Sequence, residues 1–251
     1  MRALGIPLLV AVSLGRSAPS FAQAVQDQSQ EGEWAVQLTP YVWGTALSGE
    51  VRPLVGSPKL EFDESFSDVL ENLDGAFFLT GLARRNRLIL FGDLSWSSSS
   101  QSGLVGPGVP ASGQIRQTWV TLAGGYRVAD GPGATLDLLL GARAWNTNAS
   151  VSIPVLGLSA ESTFSFTDPL LMARYNLRFA PSWSALFYGD IGGFGVGSEE
   201  SFQAVGTLNY QVSDQFYLSV GYRYLTLDYQ SDGRELDLQI SGPIVGATWQ
   251  F

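Results

Sequence analysis

The strongest constraint on the fold is a period-two alternation of apolar and polar side chains that recurs in segment after segment from Trp34 onward. In residues 215–225, Phe216 and every second residue up to Tyr224 are apolar or aromatic, whereas Arg223 belongs to the other set. This period is typical of a β-strand with one apolar and one polar face. In other segments the mid-strand charges likewise fall opposite the apolar stripe. The pattern predicts an all-β chain.

The breaks between these segments are alternately short and long. The short breaks lie at residues 84–86, 129–133, 180–182 and 212–214. The long breaks lie at residues 48–72, 97–113, 146–168, 195–200 and 230–234. Tight turns at one end of a sheet and long loops at the other are typical of antiparallel up-and-down transmembrane β-barrels. A soluble barrel with an apolar interior fits less well, because stripes this pure would then face the wrong way.

The segments number about ten. We place strands at residues 34–47, 73–83, 87–96, 114–128, 134–145, 169–179, 183–193, 202–211, 215–228 and 236–251. Each has at least the ~9 to 11 residues that a tilted spanning strand needs. Eight strands remain an alternative, if the two segments beside the Gly195 loop are merged or lie outside the membrane. Tryptophans at the strand ends are predicted to form the interfacial aromatic girdles: Trp34, Trp96, Trp119, Trp145, Trp183 and Trp249.

The first 24 residues are predicted to be a signal peptide. Arg2 supplies a positive start, residues 6–14 are apolar, and residues 20–24 offer small side chains for cleavage after Ala22 or Ala24. A retained membrane anchor is the alternative, but the apolar run is far shorter than the roughly 20 residues of a spanning helix. The resulting division is a signal peptide at 1–24, a polar periplasmic spacer at 25–33 and a barrel at 34–251.

The last residues, VGATWQF, place two aromatic side chains on one face of a strand. Gly246, Trp249 and Phe251 resemble the C-terminal insertion signal of bacterial outer-membrane proteins, which implies recognition by the barrel-assembly machinery. Ile244 stands where that signal has a polar residue upstream of the glycine. Because the apolar residues earlier in the segment have the other parity, we predict a bulge at Gly242 and Pro243.

A second resemblance concerns about the first third of the chain. Residues 37–51 (QLTPYVWGTALSGEV) and 66–96 (FSDVLENLDGAFFLTGLARRNRLILFGDLSW) resemble the start of a family of uncharacterised proteobacterial outer-membrane β-barrel proteins, which are similar to small OmpA- and OmpW-like barrels. The resemblance implies the fold and the outer membrane of a Gram-negative bacterium. It implies no catalytic residues.

The composition excludes several kinds of chemistry. The chain has no histidine and no cysteine, so metal sites that use these ligands and histidine-dependent hydrolysis are excluded. We predict no metal, no cofactor and no enzymatic activity; a carboxylate-based enzyme using Asp93 and Asp190 is the least favoured alternative. Removing Arg2 and Arg16 leaves 12 basic against 23 acidic residues, which disfavours nucleic acid as a partner.

Charges on the polar faces predict an ion-pair lattice inside the barrel. Its members are Asp93, Asp137, Asp190, Arg143, Arg174, Arg178 and Arg223. Asp137 lies on the strand next to Arg174 and Arg178, so we expect it to pair there. Ten strands leave an interior between the filled eight-stranded barrels and the open porins. We therefore predict a narrow or closed lumen.

The first long loop is acidic. Its carboxylates include Glu61, Asp63, Glu64, Asp68 and Glu71. The near-helical spacing of Phe66, Val69 and Leu70 predicts a short helix over the barrel mouth, with Ser67 or Asp68 as N-cap.

The role predicted from these features is that of a monomeric outer-membrane barrel with a structural or surface function. Its extracellular loops would contact lipopolysaccharide, divalent ions or other cells. The alternative is a narrow channel or a sensor for small solutes.

Overall fold

The computed structural model describes residues 32–52, 59–105, 109–231 and 233–251. The predicted signal peptide and nearly all of the predicted spacer lie outside these residues. The strands are β1 Ala35–Trp43, β2 Ala46–Arg52, β3 Leu60–Glu64, β4 Leu73–Arg85, β5 Leu88–Val105, β6 Val109–Asp130, β7 Ala134–Ile153, β8 Leu158–Ala180, β9 Trp183–Gly193, β10 Glu200–Gln211, β11 Phe216–Ser231 and β12 Arg234–Gln250. The helix α1 spans Phe66–Glu71, and a 3₁₀ turn spans Pro154–Leu156.

The strands form a closed antiparallel barrel. From β4 to β12 each strand pairs with the next one along the chain, and β1 pairs with both β4 and β12. β2 continues β1 in the same register against β12, since Trp43 lies opposite Ile244 and Ala46 lies opposite Ser241. β1 and β2 therefore make up one of ten barrel strands, and β3 adds to the edge of β2. The ten-stranded prediction is confirmed, and the eight-stranded alternative is wrong because β9 and β10 both pair along their full lengths.

The two ends of the barrel differ. The turns after β4, β6, β8 and β10 are two to four residues long and lie at the end that also carries the start of β1 and the end of β12. At the opposite end, two of the predicted long loops are strand instead: residues 97–105 and 109–113 extend one hairpin, and residues 146–153 and 158–168 extend the next. Backbone pairing continues there because it does not require apolar side chains, so the loss of apolar alternation does not end the strand.

The outer surface of the barrel is apolar. Leu122 and Leu140 are 67% and 66% exposed, and the outward residues of the other strands include Val42, Phe187 and Val220. An apolar band of this kind, about 25 Å tall, faces lipid in transmembrane barrels. In the part of the chain that the structure describes, no helix combines the length and apolarity needed to cross a bilayer.

Two of the six predicted girdle tryptophans lie inside the barrel. Trp119 and Trp145 are 3% and 4% exposed. Trp145 has the same parity as the charged Arg143, which faces the lumen, so strand alternation already placed it there. The remaining four are exposed, as predicted: Trp34, Trp96, Trp183 and Trp249.

β12 has no bulge, so that prediction is wrong. Its register against β11 is unbroken from Phe216 opposite Trp249 to Ser231 opposite Arg234. Leu238 and Ile240 point inward because they pack into the extracellular half of the lumen. The irregularity lies instead in the neighbouring strand of the barrel. Pro243 has no N–H to donate, and the gap between β1 and β2 falls opposite this residue.

Helix α1 begins with a capping box, two or three residues earlier in the chain than predicted. Ser65 is the N-cap; its hydroxyl oxygen accepts from the Asp68 N–H at 3.4 Å, and its own N–H donates to Asp68 Oδ2 at 3.0 Å. Hydrogen bonds from the Ser65 hydroxyl and N–H lower the pKa of Asp68. The helix lies against the outer face rather than over the mouth, because the Phe66 ring packs where Gly44 has no Cβ.

The last residue takes part in closing the barrel. The Phe251 N–H donates to Val36 O at 2.9 Å, and the Val36 N–H donates to Phe251 O at 3.3 Å. The ring itself is 68% exposed on the lipid side.

If this ring is the part of the chain that the assembly machinery recognises, Phe251→Ala should reduce the heat-modifiable, folded fraction in the outer membrane several-fold. The purified variant should nevertheless refold in detergent, since its backbone bonds to Val36 remain. A matched substitution, Phe179→Ala at the periplasmic end of β8, should have little effect on membrane insertion. Equal loss in both variants would show that the terminal ring has no special part in assembly.

Candidate functional site

The lumen is crossed by a hydrogen-bonded network that we call the lumen belt. Each member lies five to nine residues from the periplasmic end of its strand, so the network occupies one level of the barrel. Its members are Tyr41, Thr80, Asp93, Thr121, Arg143, Tyr188, Asp190, Gln203 and Arg223.

One half of the belt is built on a buried bidentate ion pair. Arg143 Nη1 and Nη2 donate to the two oxygens of Asp190 at 3.1 and 2.8 Å, and both side chains are fully buried. Arg143 Nε donates to Thr121 Oγ1 at 2.9 Å, and the Tyr188 hydroxyl donates to Asp190. The paired geometry and these further bonds offset the cost of removing both charges from water.

Gln203 joins this pair to the second half of the belt. Its Nε2 donates to Asp190 Oδ2 at 3.1 Å, while its Oε1 accepts from Arg223 Nη2 at 2.6 Å. Arg223 Nη2 also lies 3.2 Å from Asp93 Oδ1, and Arg223 donates to the Tyr41 hydroxyl. Asp93 Oδ2 accepts from Tyr41 and from Thr80 at 3.0 and 2.9 Å. The chain of bonds thus links eight of the ten barrel strands.

Aromatic side chains fill the lumen on the extracellular side of the belt. The Trp119 ring lies 6.3 Å from that of Trp43 and 5.2 Å from that of Trp145, and the row continues through Phe166 to Tyr229 at 6.0 and 4.3 Å. We call these five residues the aromatic stack. The buried side chains of Leu225, Leu238 and Ile240 pack against it. The extracellular half of the lumen is therefore a packed core.

The stack and the belt are bonded to each other. The Arg223 guanidinium lies 4.6 Å from the centroid of the Trp43 ring, and that of Arg143 lies 5.6 Å from the Trp145 ring. Cation–π attraction is strengthened by desolvation, as here. Trp145 Nε1 also donates to Asp168 Oδ2 at 2.8 Å. The result is one continuous layer across the lumen.

On the periplasmic side of the belt the lumen is a cavity of about 910 Å³, which we call the vestibule. Belt residues, including Asp93, Tyr188 and Arg223, form its inner end, and the periplasmic turns surround its mouth. Arg127, Arg174 and Arg178 line one side.

The predicted ion-pair residues lie in these two levels rather than in one lattice. Asp93 is bonded to Arg223 and Asp190 to Arg143 in the belt, whereas Asp137 lies in the vestibule wall and contacts Arg174 Nη1 at 3.4 Å. Arg178 lines the vestibule near its mouth.

Sequence reasoning missed several members of the site. Arg127, whose Nε donates to Asp137 Oδ1 at 2.8 Å, precedes a register shift in β6 that obscures its parity. Tyr41 and Gln203 share the inward parity of their strands but carry no charge. Asp168, fully buried, accepts from the Ser198 N–H at 2.7 Å and so holds the loop between β9 and β10.

The arrangement offers little to a carboxylate enzyme. Asp93 and Asp190 each pair with an arginine and accept further hydrogen bonds from tyrosine, threonine or glutamine side chains, so neither faces the lumen without partners. Among the described residues, no group of three or more acidic side chains is placed to hold a metal ion. The predicted acidic loop is divided as well: Glu61 and Asp63 lie on the outer face of β3, Glu64 is half-buried, and Asp68 and Glu71 belong to α1.

The solved structures to which this chain is similar are outer-membrane β-barrels. The outer-membrane protease OmpT from Escherichia coli superposes with a TM-score of 0.50 at 10% identity, over 87% of this chain and 96% of that one. The translocator domain of the autotransporter NalP from Neisseria meningitidis gives 0.49 at 14% identity over 90% of each chain. The attachment invasion locus protein Ail of Yersinia pestis gives 0.41 at 16% identity, over 88% of this chain and all of that one.

The likeness to OmpT shows the fold and nothing of the activity. No family model and no curated protein matches the sequence. The fold is that of a Gram-negative outer-membrane β-barrel. The predicted fold and location are confirmed, in agreement with the apolar outer surface.

The belt makes a clear prediction for stability. Arg143→Met should lower the free energy of unfolding by about 3–5 kcal/mol, because it leaves Asp190 buried without its cation. The double variant Arg143→Met/Asp190→Leu should recover most of that loss. Urea titration of the refolded protein, followed by tryptophan fluorescence, measures both. Arg116→Met, on an exposed part of β6, is the control; a single variant no less stable than this control would contradict the pairing.

Proposed function

We propose that the protein is a closed outer-membrane barrel that acts through its extracellular surface rather than as a diffusion pore. The observation that carries this proposal is the continuous layer of belt and aromatic stack across the lumen. A hydrated path would have to break buried ion pairs such as Arg143–Asp190 and separate packed rings such as Trp119 and Trp145. Both changes cost more than thermal fluctuation supplies.

The extracellular surface is extended by strands that continue beyond the membrane. The upper parts of β5 to β8 form a four-stranded sheet, since Ser102 still pairs with Ser112 and Ser152 with Ser159. Serine, threonine and asparagine are frequent along it, as suits a sheet surrounded by water. Such a rigid raised sheet supports a role in contacts at the cell surface.

A second feature of this surface is a row of five carboxylates, one from each of five neighbouring strands. The register places Glu200 opposite Asp228, Asp228 opposite Asp237, Asp237 opposite Glu50, and Glu50 opposite Glu61. We call this set the acidic row. Side chains directly opposite each other on one face are about 4.5–5.5 Å apart at Cβ, where like charges are destabilising.

Few cations balance the acidic row. Lys59 Nζ lies 3.1 Å from Glu50 Oε2 and 3.2 Å from Glu235 Oε2, and Arg52 Nη1 lies 2.6 Å from Glu235 Oε1. Hydrogen bonds to the Glu50 and Glu235 carboxylates raise the pKa of Lys59. On the outer face, the row lies on the extracellular side of exposed apolar residues such as Phe202, Tyr222 and Val245. We propose that divalent ions shared with lipopolysaccharide phosphates neutralise it, each ion being bound by protein and lipid together.

The closed lumen can be tested in planar bilayers. Refolded protein should give no discrete conductance steps under an applied voltage. Ser219→Cys, which faces the vestibule, provides a control for orientation because the chain has no native cysteine. A membrane-impermeant maleimide should label it from the periplasmic side and not from outside intact cells. Regular conductance steps, or labelling of intact cells, would sink the proposal.

The acidic row predicts that one substitution stabilises the protein when divalent ions are absent and reduces the stabilisation that divalent ions provide. In chelator, Asp237→Asn should raise the free energy of unfolding by about 0.2–1 kcal/mol, because it removes two like-charge contacts. With lipopolysaccharide and Mg²⁺, wild type should gain thermal stability and the variant should gain less. Asp214→Asn, in a periplasmic turn, should behave as wild type. An equal gain from Mg²⁺ in all three proteins would argue against ion bridging at the row.

A further inference from the structure

One edge of the raised sheet is an interaction surface that the acidic row does not use. β8 pairs with β9 only from Leu170, opposite Gly192, toward the periplasm. On the extracellular side of that level, residues 158–168 pair with β7 alone among the described strands. The turn between β9 and β10 covers the lowest part of this edge, because the Ser198 N–H donates to Asp168. Residues 158–166 therefore present a row of unpaired backbone N–H and C=O groups, which we call the free edge.

The sequence of the free edge does not protect it from pairing. Edge strands of natural proteins are commonly blunted by lysine, by proline or by a bulge. Residues 158–166 contain no lysine, arginine or proline, and Glu161 is their only charged residue. The register against β7 is also unbroken along the whole of the segment. The free edge can therefore accept an added strand through main-chain hydrogen bonds.

We propose that the free edge pairs with the free edge of a second copy of this protein, held in an opposing membrane. This inference rests on the proposed surface role, for which it names the partner. A copy in the same membrane cannot take this position, because a strand placed there would continue into the space that β9 occupies directly below. A copy that faces from an opposing membrane is inverted, so its β8 runs antiparallel to this one. Two raised sheets then join edge to edge.

The inner face of the free edge is complementary to itself when Ser162 lies opposite Ser162 of the second copy. In this register Leu158 lies opposite Phe166 of the second copy. Ala160 lies opposite Phe164 in the same way. Leu158 and Ala160 are exposed in a single copy, whereas both rings point inward. Pairing therefore brings apolar side chains that one copy leaves in water against aromatic rings of the other.

The charge on the outer face favours the same register. Glu161 lies opposite Thr163 of the second copy, whose hydroxyl can donate to the carboxylate. A register centred on Glu161 would instead place two carboxylates directly opposite each other, and like charges in that position are destabilising. Pairing centred on Ser162 is thus preferred on both faces.

Exposed apolar residues beyond the two ends of the free edge meet in this register. At the tip of the hairpin, Val155 is 70% exposed. The turn after β9 carries Val196, which is 73% exposed, and Phe194, which is exposed and has a φ of 53°, an unfavourable left-handed conformation for an aromatic residue. This turn lies against the lower end of the free edge. Pairing centred on Ser162 brings the tip of each copy to the turn of the other, so both apolar groups leave water.

Cross-linking through a single cysteine tests the pairing. The chain has no native cysteine. Opposite residues of an antiparallel pair have Cα atoms about 4.5 or 5.5 Å apart, within the range that a disulfide spans. In lipid nanodiscs that hold one barrel each, Ser162→Cys should form disulfide-linked dimers under mild oxidation several-fold faster than Ser102→Cys, on the exposed part of β5. Equal rates for the two cysteines would overturn the proposal.

Charge variants test the register. In the Ser162→Cys background, Thr163→Glu should reduce dimer formation several-fold, because it places a carboxylate opposite Glu161 of the other copy. Thr163→Lys should keep or increase dimer formation, since it offers the opposite charge there. Gln114→Glu, on the exposed part of β6, should have no effect. Equal effects of Thr163→Glu and Thr163→Lys would overturn the proposal.

Heat-modifiable migration shows whether each variant is folded. If the charge variants do not fold, Val196→Ser in the exposed turn replaces them: a lower dimer yield is expected, and an unchanged yield would overturn the proposal. The experiment is performed in chelator and without lipopolysaccharide, and it does not depend on a path through the lumen. This inference and the proposed function can therefore fail separately.

Discussion

The whole structure depends on closure of the hydrogen-bond ladder around the barrel. In lipid no water is present to bond an unpaired strand edge, so every spanning strand needs a neighbour on both sides. Here β1 meets β12, and the bonds between Val36 and Phe251 complete the ladder at the periplasmic rim. Closure also determines the direction of each side chain, because alternate residues of a closed sheet must point either to lipid or to the lumen.

The lumen then sets the second constraint, because ten strands enclose a space that side chains alone do not fill completely. The protein meets it differently in its two halves. In the extracellular half, rings and aliphatic side chains fill the lumen, and Leu225 is fully buried. In the periplasmic half the lumen is an open cavity lined by both polar and apolar groups. The belt lies at the boundary, where guanidinium groups can face rings on one side and a hydrated cavity on the other.

Much of this could be predicted from the sequence because lipid imposes a strict alternation. The apolar stripe that includes Val220 and the inward position of Arg143 both follow from parity alone. The extension of β5 to β8 beyond the apolar band could not be predicted, because segments around residues such as Ser102 show no alternation of apolar and polar side chains. The bulge at Gly242 and Pro243 was wrongly predicted because the inward apolar residues of β12 resemble a change of face. They instead pack into the core around Trp43 and Leu225.

The candidate site was predictable only in part, for a different physical reason. Buried charges must be paired, so Asp93, Asp190, Arg143 and Arg223 could be grouped from their parity. Which acid meets which base depends on how strands far apart in sequence face each other across the lumen. Gln203 illustrates this, since it joins two ion pairs and carries no charge of its own.

The position of the belt has a consequence for function. A layer of paired charges separates an extracellular surface that carries the acidic row from a vestibule lined by both arginines and carboxylates. Because side chains from eight strands hold this layer together, a solute in the vestibule cannot reach the acidic row, and an ion at the row cannot reach the vestibule. The two surfaces therefore meet different solutions, and each can be altered by substitution without changing the charge of the other.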